Sequence, residues 1–430
     1  MPLIFLIVFV MFGAVSSFAD ATQNDPAQAQ MRLDALTLTQ AKTLFLSRNR
    51  ELLSARRVLE GVQADAVSAG QRPNPTLSMN ASSINPNAGI GGGGILDKQV
   101  DTVIRLDQLF ERGDKRKLRS EAAELNAQAS KSDLGDALRQ LQVGLNAAYY
   151  DLLLAQDKER IIAESTALYQ KSLSVMTLRL KAGDISPADE ARIRVEVLRA
   201  ENDLQQANAE HAKAQFALAY MLGVGAGASK LKAADSWPMT QKQPEAGQME
   251  GVIDGRSDVK AAQARLQVAE KNRDLARALR KRDITVGVQY EHFPPNNSNM
   301  YGVGVSVPLF ANYNYEGEIR RAEVDLQAAR DQVARVRAKA WSEIDQARAD
   351  LDAMRERLDR YQGQLLASAK KSADAAEFAY SHGALGVMDL LDVRRTLRAT
   401  LLEAATAQSD YVKALSTWQG AVFANNGEVE

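Results

Sequence analysis

The sequence predicts a mainly helical protein made of two tandem structural repeats, each contributing one membrane β-hairpin. Three observations lead to this fold class. The same landmarks recur at an offset of about 200 residues, four short segments alternate polar with apolar side chains, and long segments lack proline. Each repeat therefore has the order helix, strand, strand, very long helix, turn, helix.

The internal repeat is read from landmarks that keep one offset. Gly183 lines up with Gly383, and Asp189 lines up with Asp389. Other pairs at this offset are Leu109-Phe110 with Leu309-Phe310, Arg194 with Arg394, and Lys213-Ala214 with Lys413-Ala414. Near the start of each half, Arg50-Glu51-Leu52 corresponds to Ser257-Asp258-Val259. The predicted division is a signal peptide at 1–19, a first repeat at 20–222, a linker at 223–247, a second repeat at 248–424 and a tail at 425–430.

The four strands are predicted from side chains that alternate with a period of two. Val303 and Val305 face one way, and Gly302 and Gly304 face the other. The predicted strands cover about 75–83, 99–109, 284–293 and 300–309. The glycine run 91–94 and the segment 294–297 are expected to be the hairpin loops.

The helices are predicted to be far longer than those of a globular domain. From about Asp114 to Lys181 there is no proline, which corresponds to a rod of roughly 100 Å. In the second half an apolar side chain recurs every seven residues, at Ile344, Leu351, Leu358 and Leu365, with Ala347, Met354 and Tyr361 between them. This heptad pattern predicts that the rods pack as coiled coils.

Composition limits the classes of function. An apolar run from Leu3 to Phe12 ends in small residues, which is typical of a secretory signal cleaved near Ala19 or Ala21; a membrane anchor is the alternative. Cysteine is absent, and the 53 basic residues are balanced by 54 acidic ones. A nucleic-acid partner is not expected, because that requires a clustered basic surface.

The predicted strands indicate a conduit. No later segment is apolar enough for a membrane helix, so membrane insertion has to use strands. Four strands cannot close a barrel, and open strand edges are costly in lipid. Several copies of the chain must therefore pool their strands around one hole, and the rods then form a tube on one side.

The chain resembles the TolC family of outer-membrane efflux proteins over essentially its whole mature length. The resemblance rests on the repeat, on Val307-Pro308-Leu309-Phe310 before a long helix, and on the Gly183 and Gly383 turns. It implies a homotrimer with a twelve-stranded barrel in outer-membrane lipid and a long periplasmic α-barrel. It also implies a periplasmic adaptor (membrane fusion protein) and an inner-membrane pump, often of the resistance-nodulation-division type, as partners.

Two segments, 110–116 and 179–186, resemble the cobalt–zinc–cadmium efflux branch of this family, although the branch usually has a second glycine where this chain has Arg112 or Asp114. This resemblance implies heavy-metal cations as cargo. Drugs or other organic compounds are the alternative cargo, since the pump selects the substrate.

The two turns between helices are predicted to form the periplasmic tip. The expected adaptor contacts are Gly183, Asp184, Ile185, Ser186, Gly383, Leu385 and Gly386, and the expected entrance carboxylates are Asp189, Glu190, Asp389 and Asp392. Threefold symmetry would concentrate cations at such carboxylates. The alternative for Asp189 is structural, because Ser186 fits an N-cap and Pro187 the first helical position.

No catalytic, cofactor-binding or metal site is predicted. His211, His292 and His382 are scattered and lack a ligand spacing, and the sequence contains no nucleophile elbow or dinucleotide fingerprint. A periplasmic coiled-coil adaptor and a filamentous scaffold are the rival classes. Neither needs strands of membrane length at matching places in both halves.

Overall fold

A computed structural model describes residues 33–84, 87, 89, 91–92, 100–225, 227–238, 249–293 and 298–422. The predicted signal peptide and tail lie outside the described residues. The same holds for residues 239–247 of the predicted linker, for the segment 294–297, and for Gly93 and Gly94 of the first hairpin loop.

Both halves have the predicted order of elements, which confirms the fold class. The first half contains α1 (Leu38–Arg48), α2 (Arg50–Ala69), β1 (Thr76–Ser82), β2 (Asp101–Phe110), α3 (Lys115–Ala182) and α4 (Pro187–Leu222). The second half contains α5 (Met249–Gly255), α6 (Ser257–Ala278), β3 (Ile284–Phe293), β4 (Ser298–Ser306), α7 (Glu316–Arg360), α8 (Leu366–Ser381) and α9 (Val387–Val422).

The strands form one antiparallel sheet in the order β1-β2-β3-β4. The hairpins of the two repeats thus meet through β2 and β3, with Arg105 opposite Gln289. The bounds of β4 differ from the prediction, because this strand ends at Ser306 and not at 309. Pro308 has no backbone N–H to donate to a neighbouring strand, so the ladder stops before it.

Helix α3 is the longest rod and the centre of the packing. Its 68 residues give a length of roughly 100 Å, and α2, α4, α6 and α9 all lie against it. Leu145, Tyr149 and Leu152 of α3 are fully buried in the largest apolar cluster, which also contains Trp418 of α9. Tyr149 and Trp418 are therefore packing residues of the helical core.

The predicted heptad of the second half is correct as far as Leu358 and wrong at Leu365. Ile344, Leu351 and Leu358 are buried, whereas Leu365 is 48% exposed. The reason is a π-helical turn at Tyr361–Leu365, between α7 and α8, which accommodates one extra residue. The stripe resumes one position later, at the half-buried Leu366 and the buried Ala373.

Part of the predicted linker is a hydrogen-bonded strap. Leu36 pairs with Ala233 in a parallel bridge. The carboxylate of Asp235 accepts hydrogen bonds from the Leu38 backbone N–H at 2.7 Å and from the Tyr149 hydroxyl at 2.8 Å. Burial raises the pKa of Tyr149, and the neighbouring Asp235 raises it further. The strap fixes the start of the described chain to the middle of α3.

Candidate functional site

The sheet has two chemically different faces. The predicted alternation in β2 is confirmed, since the pairing register puts Arg105 and Asp107 on one face and Ile104 and Leu106 on the other. The first face is mainly polar and carries Thr76, Ser78, Asn80, Ser82, Asp101, Arg105, Asp107, Thr285, Gly287, Gln289, Glu291, Gly302, Gly304 and Ser306, together with the apolar Val103, Leu109, Phe293 and Met300.

An ion pair lies across the polar face. The Arg105 Nε donates to both carboxylate oxygens of Asp107, at 2.9 and 2.8 Å. Gly287 lies opposite Asp107, and a Cβ on this glycine would come within 2.1 Å of the Asp107 Oδ1. Gly304 similarly leaves room for the Arg105 guanidinium. Gly287 of β3 and Gly304 of β4 are thus sites where charged side chains approach the backbone.

The opposite face is mainly apolar, with Thr102, Gln108, His292 and Asn299 as its polar members, and its outer strands β1 and β4 are exposed on the protomer. Val303 and Val305 of β4 are 78% and 65% exposed, and Leu77 and Met79 of β1 are about as exposed. A contiguous apolar surface of this kind requires a partner other than water. Along the described residues, no helix combines the length and the apolar character needed to cross a membrane.

At the other end of the rods, the two helix-to-helix turns have the same geometry. Gly183 and Gly383 both adopt the left-handed conformation, with φ of 81° and 74°. The backbone N–H of Asp184 donates to Arg179 O at 2.9 Å, and that of Ala384 donates to Ala379 O at 2.8 Å. These are Schellman-type ends, for which glycine is favoured because it has no Cβ.

The turn of the first repeat begins with a capped helix. The Ser186 hydroxyl accepts from the Asp189 backbone N–H at 3.2 Å and donates to the Asp189 Oδ2 at 2.8 Å. Pro187 occupies the first turn of α4. Asp189 therefore participates in the cap and faces the positive end of the helix dipole. Ile185 is half-buried and packs on a small apolar cluster that includes Met176 and Leu391.

The predicted carboxylates have different surroundings. Glu190 is buried, forms an ion pair with Arg194, and accepts a hydrogen bond from Thr177 at 3.4 Å, so its side chain is not free at the protomer surface. The side chains of Asp389 and Asp392 are exposed near the start of α9. Asp184, Gly386 and the two turn glycines are also exposed, whereas Leu385 is half-buried.

The structure joins the two repeats next to these carboxylates, a feature that sequence reasoning missed. Arg395 Nη1 lies 3.1 Å from Asp392, and Arg395 Nη2 lies 2.7 Å from Glu196 of α4. Farther along the same helices, Arg398 pairs with Asp203 at 3.1 Å. No local signal in the sequence reveals the Arg395–Glu196 and Arg398–Asp203 pairs, because each joins residues almost 200 positions apart.

The histidines are dispersed over the described structure. His211 forms a pair with Glu159 between α3 and α4, His292 lies 3.1 Å from the Asn299 side-chain oxygen, and His382 lies 2.8 Å from Phe378 O. Across the described ranges, no three side chains of histidine, aspartate or glutamate converge as metal ligands.

Duplicated strand pairs, a sheet with one exposed apolar face, and helical rods of this length define the class of outer-membrane channel proteins. This chain belongs to the outer membrane efflux protein family, which matches residues 43–224 and 251–421. It is similar to the cobalt-zinc-cadmium resistance protein CzcC of Cupriavidus metallidurans, with 23% identity over 89% of each chain.

Solved structures show the same fold. The outer membrane channel CmeC of Campylobacter jejuni matches with a TM-score of 0.78 at 16% identity, covering 90% of this chain and 85% of CmeC. A CusC structure matches with a TM-score of 0.74 at 21% identity, covering 89% of this chain and 92% of CusC. The family and the outer-membrane location predicted from the sequence are therefore confirmed.

Proposed function

We propose that this protein is the passive exit duct of a tripartite efflux system and conducts divalent heavy-metal cations out of the periplasm. Three copies close their sheets into one barrel with the polar face inward, and the rods extend the channel into the periplasm. Residues 20–222 and 248–424 are the two repeats of each subunit. The duct performs no chemical step, so it needs no catalytic residue and no cofactor.

The observation that carries this proposal is the four-stranded sheet with two chemically different faces. β1 and β4 are its outer strands, and its apolar face is exposed on the protomer. Closure with further copies would pair the outer edges and put the polar face around a hole, which is the arrangement that lipid favours. The expected result is a heat-resistant trimer on unboiled gels of outer-membrane fractions; a soluble monomer would contradict it.

Metal cargo is supported by the likeness to a cobalt-zinc-cadmium resistance protein. The absence of converging ligands in the described residues is compatible with this cargo, because a conduit must release ions and tight binding would retain them. A strain lacking this protein and any redundant duct should lose tolerance to zinc, cobalt or cadmium. Normal tolerance to all three metals combined with drug sensitivity would instead identify organic compounds as the cargo.

The periplasmic turns are the proposed contact with the adaptor, which in turn docks on an inner-membrane pump of the resistance-nodulation-division type. The contact residues are Gly183, Asp184, Ile185, Ser186, Gly383, Leu385 and Gly386. Their support is the matched left-handed geometry of both turns, which would present six similar turns in a trimer. Site-specific crosslinking from Asp184 should capture the adaptor; crosslinks from the sheet end of α3 only would contradict this contact.

Asp389 and Asp392 are the proposed entrance carboxylates, because their side chains are exposed beside the second turn. Asp189 contributes less because it caps the helix, and Glu190 does not contribute because it is buried and paired with Arg194. The Asp389→Asn, Asp392→Asn variant should lower cation preference in planar bilayers. Asp374→Asn, an exposed carboxylate on α8, is the matched control. Unchanged conductance and unchanged preference in the double variant would contradict the gate.

A further inference from the structure

Basic residues accumulate where the helices meet the sheet. The four connecting segments at 70–75, 110–119, 278–283 and 311–321 contain 11 lysines and arginines against five aspartates and glutamates, in a chain whose net charge is −1. This end of the sheet is where the strands enter the helical part. In the proposed barrel, on which this inference rests, it is therefore the periplasmic boundary of the lipid-facing surface.

A cleft of about 810 Å³ lies at this boundary in the first repeat, between the end of α2 and the end of β2. Its walls include Arg72, Arg116, Gln108, Phe110 and Glu111. Gln108 and Phe110 belong to the apolar face of the sheet by register, and Phe110 is 52% exposed. The cleft is thus continuous with the surface that contacts lipid.

One carboxylate of the cleft is already neutralised. Arg119 donates to both oxygens of Glu111, at 2.7 and 3.1 Å, and its Nε donates to the Ala69 carbonyl at 3.0 Å. The Gln108 amide is also engaged, because it donates to the Pro73 carbonyl at 3.0 Å. These bonds connect the two walls of the cleft. The Arg119 guanidinium also neutralises Glu111, which is the one carboxylate among the lining residues.

Two cations remain available after this pairing. Arg72 is exposed and makes no ion pair with another described residue. Arg116 is also exposed, and its one described contact is a long hydrogen bond of 3.5 Å to the Gly70 carbonyl. Two arginines beside an apolar aromatic ring form a site for an anion attached to a hydrocarbon chain, since guanidinium groups bind phosphate well.

At the corresponding boundary of the second repeat, Arg280 and Arg282 both contact the segment that follows β4. The Arg280 Nε donates to the Asn314 carbonyl at 3.1 Å. The Arg282 guanidinium lies over the Phe310 ring, 5.4 Å from its centroid. Lys281 and Arg320 at this boundary are exposed without a described ion pair, but neither lines the cleft of the first repeat. Specific binding is therefore expected in the first repeat.

We propose that the cleft between α2 and β2 binds the headgroup of an anionic phospholipid from the periplasmic leaflet of the outer membrane. Arg72 and Arg116 contact the phosphate, and an acyl chain follows the apolar face of the sheet past Phe110 and Leu106. Such a lipid would fix the depth of the sheet in the bilayer. This inference stands apart from the cargo, since it concerns the outer wall of the protein.

The test is lipid titration of the delipidated full-length protein in detergent, with bound lipid counted by native mass spectrometry. Phosphatidylglycerol should bind in preference to phosphatidylcholine. Arg72→Gln with Arg116→Gln should weaken phosphatidylglycerol binding by about 30-fold, and Arg72→Lys with Arg116→Lys should retain most of it. Circular dichroism verifies that each variant is folded.

Arg280→Gln with Arg282→Gln is the matched control, because it removes the same charge at the same boundary and should leave the high-affinity phosphatidylglycerol site intact. Equal loss in both double variants would overturn the proposal and indicate diffuse attraction to the membrane. No preference for phosphatidylglycerol would overturn it as well. Glycerol 1-phosphate should bind far more weakly than the lipid; equal affinity would mean an anion site without a lipid.

Discussion

At the residue scale, different side chains at equivalent positions of the two repeats hold the start of α2 and the start of α6. Asn49 precedes α2; its Oδ1 accepts from the Leu52 N–H at 2.9 Å, and its Nδ2 donates to the Met221 carbonyl at 2.9 Å. Arg256 precedes α6 and donates to the Ala421 carbonyl at 3.4 Å. Each residue thus links the start of one helix to the end of the last helix of its repeat.

Arg256 is the buried cation of a triad and should be difficult to replace. It is 1% exposed and lies 2.7 Å from Asp258 and 2.6 Å from Glu343. Arg256→Met should destabilise the protein by about 3 kcal/mol, because it leaves two partly buried carboxylates without their cation. Thermal unfolding in detergent measures this. Arg265→Met, which breaks an exposed pair with Asp133, should cost less than about 1 kcal/mol.

The same triad makes stability depend on pH in the acid range. Burial on its own would raise the pKa of Asp258, but hydrogen bonds and charge from Arg256 outweigh it and hold the pKa below the ordinary value of 3.8. A group with a lowered folded pKa stabilises the fold above its unfolded pKa and loses this effect as the pH falls through the folded value. The stability gap between wild type and Asp258→Asn should therefore be constant above about pH 5 and shrink below about pH 3.8. A gap that widens in acid would contradict this assignment.

At the element scale, the repeats differ in how they continue the long helix. The first repeat uses one uninterrupted α3, whereas the second uses α7, the π-helical turn at Tyr361–Leu365 and α8. Because this turn contains one extra residue, the buried side chains of α7 and those of α8 lie on the same side of the rod. Tyr361 in the turn donates a hydrogen bond to Glu403 of α9 at 3.1 Å.

Deleting Gly363 should convert the π turn into an ordinary α-helical turn without rotating α8 relative to α7. The deletion variant is expected to assemble and to melt close to the wild type, since Leu358 and Ala373 keep their faces. Deleting Ala353, an exposed residue in regular α-helix, is the control and should rotate every following side chain by about 100°. Outer-membrane yield and melting temperature compare the two. Equal damage in both variants would contradict the inserted-residue account.

At the scale of the whole molecule, the sheet and the rods have surfaces that suit different environments. The apolar face of β1 and β4 requires lipid, and the charged helices require water. Adjacent residues on β1 separate these roles, since Met79 belongs to the apolar face and Asn80 to the polar face. Both side chains are exposed on the protomer, so neither change alters protomer packing.

Met79→Lys should therefore impair membrane assembly, with a cost of about 2–4 kcal/mol if the residue lies near the middle of the bilayer. Asn80→Lys adds the same charge one residue away and should assemble normally, because its side chain faces the proposed water-filled lumen. The amount of heat-resistant oligomer in outer-membrane fractions measures both. Equal assembly of the two variants would contradict the assignment of the faces.

Sequence periodicity and duplication were sufficient to predict the order of elements, the two faces of the sheet and the capped turn at Ser186, because each depends on residues that are near neighbours or equally spaced. They were insufficient where contacts join distant positions. The Arg256 triad, the Arg395–Glu196 pair and the cleft beside Arg72 arise only when helices and strands from separate parts of the chain pack together. The π turn at Tyr361–Leu365 was missed for a related reason: a heptad read along the chain has no means of showing a local change in residues per turn, and the packing of α8 against α9 decides the phase.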